Sequence, residues 1–216
     1  MYPFLLFFGR LTVAKQPTGG YTTYLPKHNF CLYLEIFSDH ETMKLFGGPL
    51  LTNDLDIKDL VQLMKVERDK GISYFWTITL KEEKEFVGFV RLMSYSSGYY
   101  DASFSSIGEH RFDPEFLKYF DRANGWEIDY ALIKSQRNKG IMREAVGAVL
   151  EFCKAENLSP IYAKVNSMTN TATVKVLRHH KFSDHLPQID PELLKKYDTK
   201  TIVEKNLMGM IFKWTN

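Results

Sequence analysis

The residues best suited to bind or react with a ligand are the cations and the glycine between positions 134 and 143. A polar turn, Lys134-Ser135-Gln136, is followed by Arg137-Asn138-Lys139-Gly140-Ile141-Met142 and then by a helical pattern. A strand that feeds a tight turn and a helix start presents unpaired backbone N–H groups, reinforced by the positive end of the helix dipole. Gly140 lets the backbone approach a ligand closely, while Arg137, Lys139 and Arg143 add positive charge. The segment predicts a phosphate-binding cradle, with a solvated basic turn as the alternative. It is neither a P-loop nor a dinucleotide fingerprint, because both glycine patterns are absent.

Two carboxylates precede this cradle on a predicted strand, Trp126 to Ile133. Glu127 and Asp129 are two residues apart and therefore lie on one strand face, where mutual repulsion and burial would raise an apparent pKa. The alternative is a half-exposed strand that carries two solvated carboxylates. Cys31 and Cys153 lie in apolar segments, which favours buried thiols over an activated nucleophile, a disulfide or a zinc site.

The elements around these residues alternate between strand-like and helical patterns. The predicted strands are residues 4–13, Tyr74–Leu80, Phe86–Met93, Trp126–Ile133, Ile161–Val165 and Leu207–Trp214. Helices are predicted near 57–64 with Asp54 and Asp56 as potential caps, after Asp113-Pro114, from 141 to about 157, and over Ala172–His180. An irregular loop over 16–29 and a polar, aromatic insertion over 94–125 complete the chain. This order predicts an α+β, three-layer α/β/α fold with helices on the faces of one sheet.

Composition limits the class of protein. A chain of 216 residues fits one domain, and 44% hydrophobic residues supply a sizeable core, which excludes a disordered chain. The net charge of +2 is too small to predict a nucleic-acid or anionic-membrane partner. The longest early apolar run, Phe4–Phe8, is far below the ~20 residues that a transmembrane helix needs. We therefore expect a cytoplasmic protein that binds neither nucleic acid nor membrane.

Four features, in order along the chain, carry a resemblance to a known family. They are Ser38-Asp39-His40-Glu41-Thr42-Met43 with Gly47-Gly48-Pro49; Phe86-Val87-Gly88-Phe89-Val90; Glu127-Ile128-Asp129-Tyr130-Ala131-Leu132 before Arg137-x-x-Gly140-x-Met142-Arg143-Glu144-Ala145; and Asn170-x-x-Thr173 leading to Val176-Leu177 and Phe182. Over roughly Glu35 to Phe182, the sequence resembles the GNAT superfamily of acyl-CoA-dependent N-acetyltransferases, most closely its ribosomal-protein N-acetyltransferase (RimJ/RimL-like) branch. The resemblance implies a single GNAT-like domain over 1–216, with a mixed, mostly antiparallel sheet of about six or seven strands.

Three positions depart from the family pattern. Met142 stands where the general motif has Gly or Ala, and Thr173 replaces the usual Ser. His180-Lys181-Phe182 replaces Leu-Gly-Phe, and a left-handed helix cap is less comfortable for Lys181 than for Gly.

The resemblance also implies acetyl-CoA as co-substrate. The diphosphate would be held by the backbone amides of Arg137, Asn138, Lys139, Gly140, Ile141 and Met142. Ala131 and Leu132 would pair with the pantetheine arm like an added strand, and Asn170 would contact that arm from the next helix. The chemistry requires no metal, and the spacing of His179, His180 and His185 matches no familiar metal motif.

In this family the amine attacks the thioester directly in a ternary complex, without a covalent enzyme intermediate. The resemblance makes Glu127 the general base. Thr173 and Tyr130 are the candidates to protonate the departing thiolate, because Leu177 occupies the place of the usual tyrosine acid.

The acceptor implied by this chemistry is a primary amine. Presenting a neutral lysine at pH 7 costs about 4.6 kcal/mol, against about 1.4 kcal/mol for an α-amine, which favours a protein N-terminus and leaves small-molecule amines open. We therefore predict an N-acetyltransferase that acts as a monomer or homodimer. The alternative is a non-catalytic CoA-binding or protein-interaction module that retains the fold.

Overall fold

The computed structural model describes residues 5–8, 11–15, 33–46, 50–82, 86–94, 125–165, 169–185 and 210–216. Three sequence predictions lie outside these residues: the loop over 16–29, the helix after Asp113-Pro114 and nearly all of the 94–125 insertion. Cys31 also lies outside them. The described chain forms one mixed sheet with flanking helices, which confirms the predicted α+β class.

Eight strands form the described sheet. They are β1 (Leu5–Phe8), β2 (Leu11–Lys15), β3 (Ser73–Leu80), β4 (Phe86–Ser94), β5 (Trp126–Leu132), β6 (Ile161–Val165), β7 (Ser183–Asp184) and β8 (Met210–Trp214). Their order is β1-β2-β3-β4-β5-β6-β8-β7, and all neighbours are antiparallel except β5 and β6, which are parallel. The sheet is mixed and mostly antiparallel, as predicted.

The strand count exceeds six or seven for two reasons. Residues 4–13 were expected to form one strand, but Leu5–Phe8 and Leu11–Lys15 are two antiparallel strands, with Phe8 opposite Leu11. The second reason is β7, whose two residues are too few for a periodic pattern to reveal.

Helices cover both faces of the sheet. The described helices are residues 33–37 (α1), α2 (His40–Phe46), α3 (Asp54–Asp69), α4 (Ile141–Ala155) and α5 (Thr171–His179). Tyr33 of α1 packs on Phe75 of β3, with ring centroids 6.2 Å apart, whereas Phe152 of α4 packs on Trp76 at 5.2 Å. Phe75 and Trp76 are consecutive in β3, so their side chains point to opposite faces. The sheet therefore lies between α1 and α4, as a three-layer fold requires.

The start of α3 differs from the prediction in its cap. Asn53, rather than Asp54 or Asp56, is the cap, and its Oδ1 accepts hydrogen bonds from the amides of Leu55 (2.9 Å) and Asp56 (3.0 Å). The Asp56 carboxylate reaches back to the Thr52 amide at 3.2 Å. This return bond reaches the residue before the cap, whereas in a capping box it would reach the amide of the cap residue itself. Both aspartates therefore lie inside the first turn.

The contact between β5 and β6 is brief. Only Trp126 with Ile161 and Glu127 with Tyr162 are in register, and the two strands have no further pairs in the described chain. Along its other edge β5 pairs with β4 throughout, from Ser94 opposite Trp126 to Gly88 opposite Leu132. The two parallel strands therefore open into a wedge toward the carboxyl end of β5, where the chain enters α4.

Candidate active site

The start of α4 lies at the open end of this wedge and has an unusual backbone. Gly140 precedes the helix with φ +79°, and Asn138 has φ +61°. Both are left-handed conformations, which glycine adopts without strain and asparagine tolerates. No side chain among the described residues caps this end. The first intrahelical bond runs from the Glu144 amide to the Gly140 carbonyl at 3.1 Å, so the amides of the first turn have no partner within the helix.

Buried side chains fix this helix start, and the turn residues just before it, 138–140, are exposed. Ile141 and Met142 are both buried in the core. Met142 therefore packs inward at the position where the family motif has a small residue, and its side chain takes no space from a ligand on the amides. Lys139 is exposed, and its Nζ donates to Gln136 Oε1 at 2.9 Å across the turn. The geometry fits an anion held by backbone N–H groups.

The side chain of Arg137 turns away from the cradle toward α2. Its Nη2 donates to Asp39 Oδ2 at 3.3 Å and to the Thr42 hydroxyl, and both Nε and Nη2 lie 3.4 Å from the Leu132 carbonyl oxygen. Asp39 in turn accepts a hydrogen bond from the Thr42 amide at 3.0 Å and caps α2. Hydrogen bonds from Thr42, with Arg137 beside them, lower the pKa of Asp39. The side chain of Arg137 thus connects the turn to α2, while its backbone amide donates to the Lys134 carbonyl at 3.3 Å and closes the turn.

The predicted residues on α5 stand on the far side of the wedge. Asn170 caps α5, and its Oδ1 accepts from the Thr173 amide at 3.2 Å, so its side-chain NH2 is the group left to contact a ligand. The Thr173 hydroxyl lies near the buried Tyr130 hydroxyl, although no described group meets hydrogen-bond geometry with Tyr130. Burial raises the pKa of Tyr130, and Thr173 offsets part of this rise. Tyr130 is therefore a neutral phenol over the physiological pH range.

Glu127 is buried in β5, with 6% of its surface exposed. It is opposite Met93 of β4 and beside Tyr162 of β6, at the closed end of the wedge. Because positions 127 and 130 are an odd number apart, Glu127 and Tyr130 point to opposite faces. The structure therefore separates the two predicted catalytic side chains: Glu127 lies on the α1 face and Thr173 adjoins the α4 face.

A charge cluster that the sequence analysis missed surrounds Asp129. Arg91, opposite Asp129 in register, donates from Nη2 to Asp129 Oδ2 at 2.6 Å and from Nε to Oδ1 at 3.2 Å. The other side of its guanidinium faces Glu67 of α3, with Nη1 3.8 Å from Oε2. Burial raises the pKa of Asp129, the charge of Arg91 opposes this rise, and the charge of Glu127 adds to it. The signal was a single arginine inside the otherwise apolar run of β4.

Cys153 and His180 are the two other candidates whose surroundings the structure describes in detail. Cys153 is a free, buried thiol, and burial raises its pKa to about 12. In the described ranges, no three His, Cys, Asp or Glu side chains form a group that could hold a metal ion. His180 instead lies with Nε2 2.7 Å from the Arg143 carbonyl oxygen. The helices in the described part of the chain are each too short or too polar to span a bilayer.

Comparison with known proteins agrees with this architecture. Residues 27–183 match the family model described as an acetyltransferase (GNAT) domain. Among solved structures, RimL, a ribosomal L7/L12 α-N-protein acetyltransferase, has a TM-score of 0.61 at 12% identity, covering 100% of this chain and 96% of that chain. Ribosomal-protein-S5-alanine acetyltransferase from Vibrio fischeri gives 0.57 at 16%, over 98% and 96%. The aminoglycoside acetyltransferase AAC(6')-Ib in complex with coenzyme A gives 0.59 at 14%, over 94% and 95%. No curated protein matched the chain.

Proposed function

Because the chain belongs to the GNAT acetyltransferase family, we propose that it transfers an acetyl group from acetyl-CoA to a primary amine. The acceptor is either a protein N-terminal α-amine or a small-molecule amine, and the enzyme acts in the cytoplasm as a monomer or homodimer. The observation that carries the proposal is the uncapped, left-handed start of α4 at the open end of the β5–β6 wedge.

The proposed cofactor site follows the chain from β5 into α4. The amides of Asn138 through Met142 would bind the diphosphate, with Gly140 supplying the left-handed turn. The Arg137 amide, predicted to join them, donates instead to the Lys134 carbonyl. Ala131 and Leu132 stand on the edge of β5 that β6 leaves unpaired in the described chain, where an extended arm can add as a strand. Asn170 would donate its side-chain NH2 from across the wedge. Acetyl-CoA supplies the activated acyl group.

The proposed chemistry needs a proton acceptor in a place shielded from bulk water. Glu127 is buried and points into the α1 face of the sheet, so a proton taken from the substrate ammonium would move onto its carboxylate. The nitrogen keeps the electron pair with which it attacks the thioester. Thr173 is the side chain we propose to hydrogen-bond the departing thiolate from the opposite side. An α-amine suits this arrangement, since deprotonating it at pH 7 demands about 3 kcal/mol less than deprotonating a lysine.

Two of the structural neighbours illustrate the two acceptor classes. One is an α-N-protein acetyltransferase, and another is an aminoglycoside acetyltransferase. A panel of amines therefore decides between them for this chain: peptides with a free α-amine, the same peptides blocked at the α-amine but carrying a lysine, and an aminoglycoside. We expect the highest kcat/KM with a free α-amine.

The test of catalysis compares two isosteric variants. Glu127→Gln removes the proposed base and should lower kcat by about 10²–10⁴-fold, while leaving the calorimetric affinity for CoA unchanged. Glu151→Gln removes one carboxylate from an exposed position of α4, where it pairs with Lys154, and should leave turnover unchanged. Turnover that survives Glu127→Gln refutes the role of Glu127. CoA binding without turnover on any amine supports the alternative, a module that retains only the fold.

A further inference from the structure

A buried arginine links the sheet to α3 beside the proposed base. Arg91 is 3% exposed and its guanidinium lies between two carboxylates, Asp129 of β5 and Glu67 of α3, which is fully buried. The contact with Asp129 is a bidentate, charge-assisted hydrogen bond. Nη2 of Arg91 lies 2.6 Å from Asp129 Oδ2, and Nε lies 3.1 Å from Oδ2 and 3.2 Å from Oδ1. The contact with Glu67 is longer, at 3.8 Å. Glu67 therefore shares the charge of Arg91 at a longer distance than Asp129 does.

This cluster shares a face with the proposed active site. Glu127, Asp129 and Ala131 alternate along β5 and point to the same side, at two-residue intervals. Glu127 and Ala131 are about 13 Å apart along the strand, with Asp129 halfway between them. A pantetheine arm that enters at Ala131 and runs toward Glu127 passes Asp129 on the way. Asp129 thus lies beside the path of the arm, next to Glu127 on the same face of β5.

We propose that Arg91 is a positioning residue for acetyl transfer: it holds Asp129 as an oriented carboxylate beside Glu127, so that the two act as one proton-accepting pair. This inference rests on the proposed function. The proton that leaves the substrate ammonium breaks its N–H bond and forms an O–H bond on the pair, and the nitrogen retains its lone pair.

The charges around Asp129 set how readily the pair accepts that proton. The charged groups known to act on Asp129 are Arg91 from β4 and Glu127 from β5 itself, and Glu67 from α3 faces the other side of Arg91. Burial and the charge of Glu127 raise the pKa of Asp129, and Arg91 opposes them. Removing the charge of Glu67 removes a carboxylate that competes for Arg91, which favours the carboxylate form of Asp129. Removing Arg91 favours the neutral acid.

The test measures the acid limb of the pH profile of kcat in three variants of the full chain. Glu67→Gln, which keeps shape, should move this limb to lower pH by about half a unit. Arg91→Gln should move it to higher pH by about 1–3 units, and Arg91→Lys, which restores the charge, should bring it part of the way back. Asp69→Asn is the matched control, because it removes one carboxylate from the exposed side of α3, where it pairs with Arg68. It should leave the limb unchanged.

Opposite shifts for Glu67→Gln and Arg91→Gln establish the proposal, since loss of stability alone cannot move the limb downward in one variant. An unmoved limb in Glu67→Gln, with wild-type CoA affinity, overturns it even if Arg91→Gln fails to fold. No acetyl transfer by the unaltered chain on any amine would instead overturn the proposed function. The two failures are therefore distinct.

Discussion

The cradle depends on the left-handed conformation of Gly140, and Gly140→Ala tests this dependence. At φ +79° an alanine is strained by about 1–2 kcal/mol. The gain from a stiffer unfolded chain offsets about 0.4–1 kcal/mol of this, so the free energy of unfolding should fall by about 1 kcal/mol. In the variant the turn can also relax away from the left-handed conformation and must return to it to bind. Because 1.4 kcal/mol is tenfold in affinity, CoA should bind up to about 5–30-fold more weakly.

Gly71→Ala provides the matched control. Gly71 follows α3 with φ +70°, and an added Cβ would meet no atom within 4 Å. The strain is therefore the same as at Gly140 but lies away from the cradle. Urea unfolding should show similar losses of stability for the two variants, while titration calorimetry with CoA should show weaker binding for Gly140→Ala alone. Equal CoA affinities in the two variants would refute the assignment of the cradle to this turn.

Two further predictions concern Arg137, in the turn before α4, and Lys181, at the end of α5. Arg137→Met removes the guanidinium bonds to Asp39 and Thr42 and should lower the free energy of unfolding by about 1–2 kcal/mol. It should change the CoA affinity by less than about threefold, because backbone amides do the binding; a loss above tenfold would mean that the side chain binds phosphate. Lys181→Gly relieves a left-handed residue at φ +63° and should raise the free energy of unfolding by about 0.5–1 kcal/mol in urea titration. A decrease would show that Lys181 makes a stabilising contact that outweighs its backbone strain.

The Lys181 prediction shows how far local sequence can be taken. Lys181 in place of Gly left the end of this helix open to question, because a left-handed cap is less comfortable for Lys, yet the structure has that cap at φ +63°. The amide of Lys181 bonds to the Arg178 carbonyl at 3.0 Å and that of Phe182 to the Leu177 carbonyl at 3.1 Å. These are the two bonds of a Schellman motif, with Leu177 and Phe182 both buried. The fold class, most strand and helix bounds and the turn at Gly140 were predictable for the same reason, since each depends on a few consecutive residues.

Features that depend on register between distant strands were not predictable. Asp129 was expected to interact mainly with Glu127, its neighbour on the same strand, but its closest partner is Arg91, 38 residues away. The sequence of either strand alone does not determine that these two positions are opposite each other. That depends on the register, and a shift of one residue would reverse the face of every side chain. The side chain of Arg137 was likewise expected near the cradle. Its partners on α2, about 95 positions away, depend on how α2 packs against the end of β5.

The wedge itself combines a local and a non-local cause. Six of the seven neighbouring strand pairs in the described sheet are antiparallel. The remaining pair, β5 and β6, is parallel, and its two strands are joined through α4. A parallel pair needs a crossover on one face, and α4 begins immediately beyond β5 with a left-handed turn that its own residues fix. Among the described residues, β5 and β6 part after two pairs, so the backbone of β5 beyond Glu127 has no partner on β6 next to that helix start. Buried backbone groups require partners, and this is why we propose an extended, amide-bearing ligand with an anionic end for this edge.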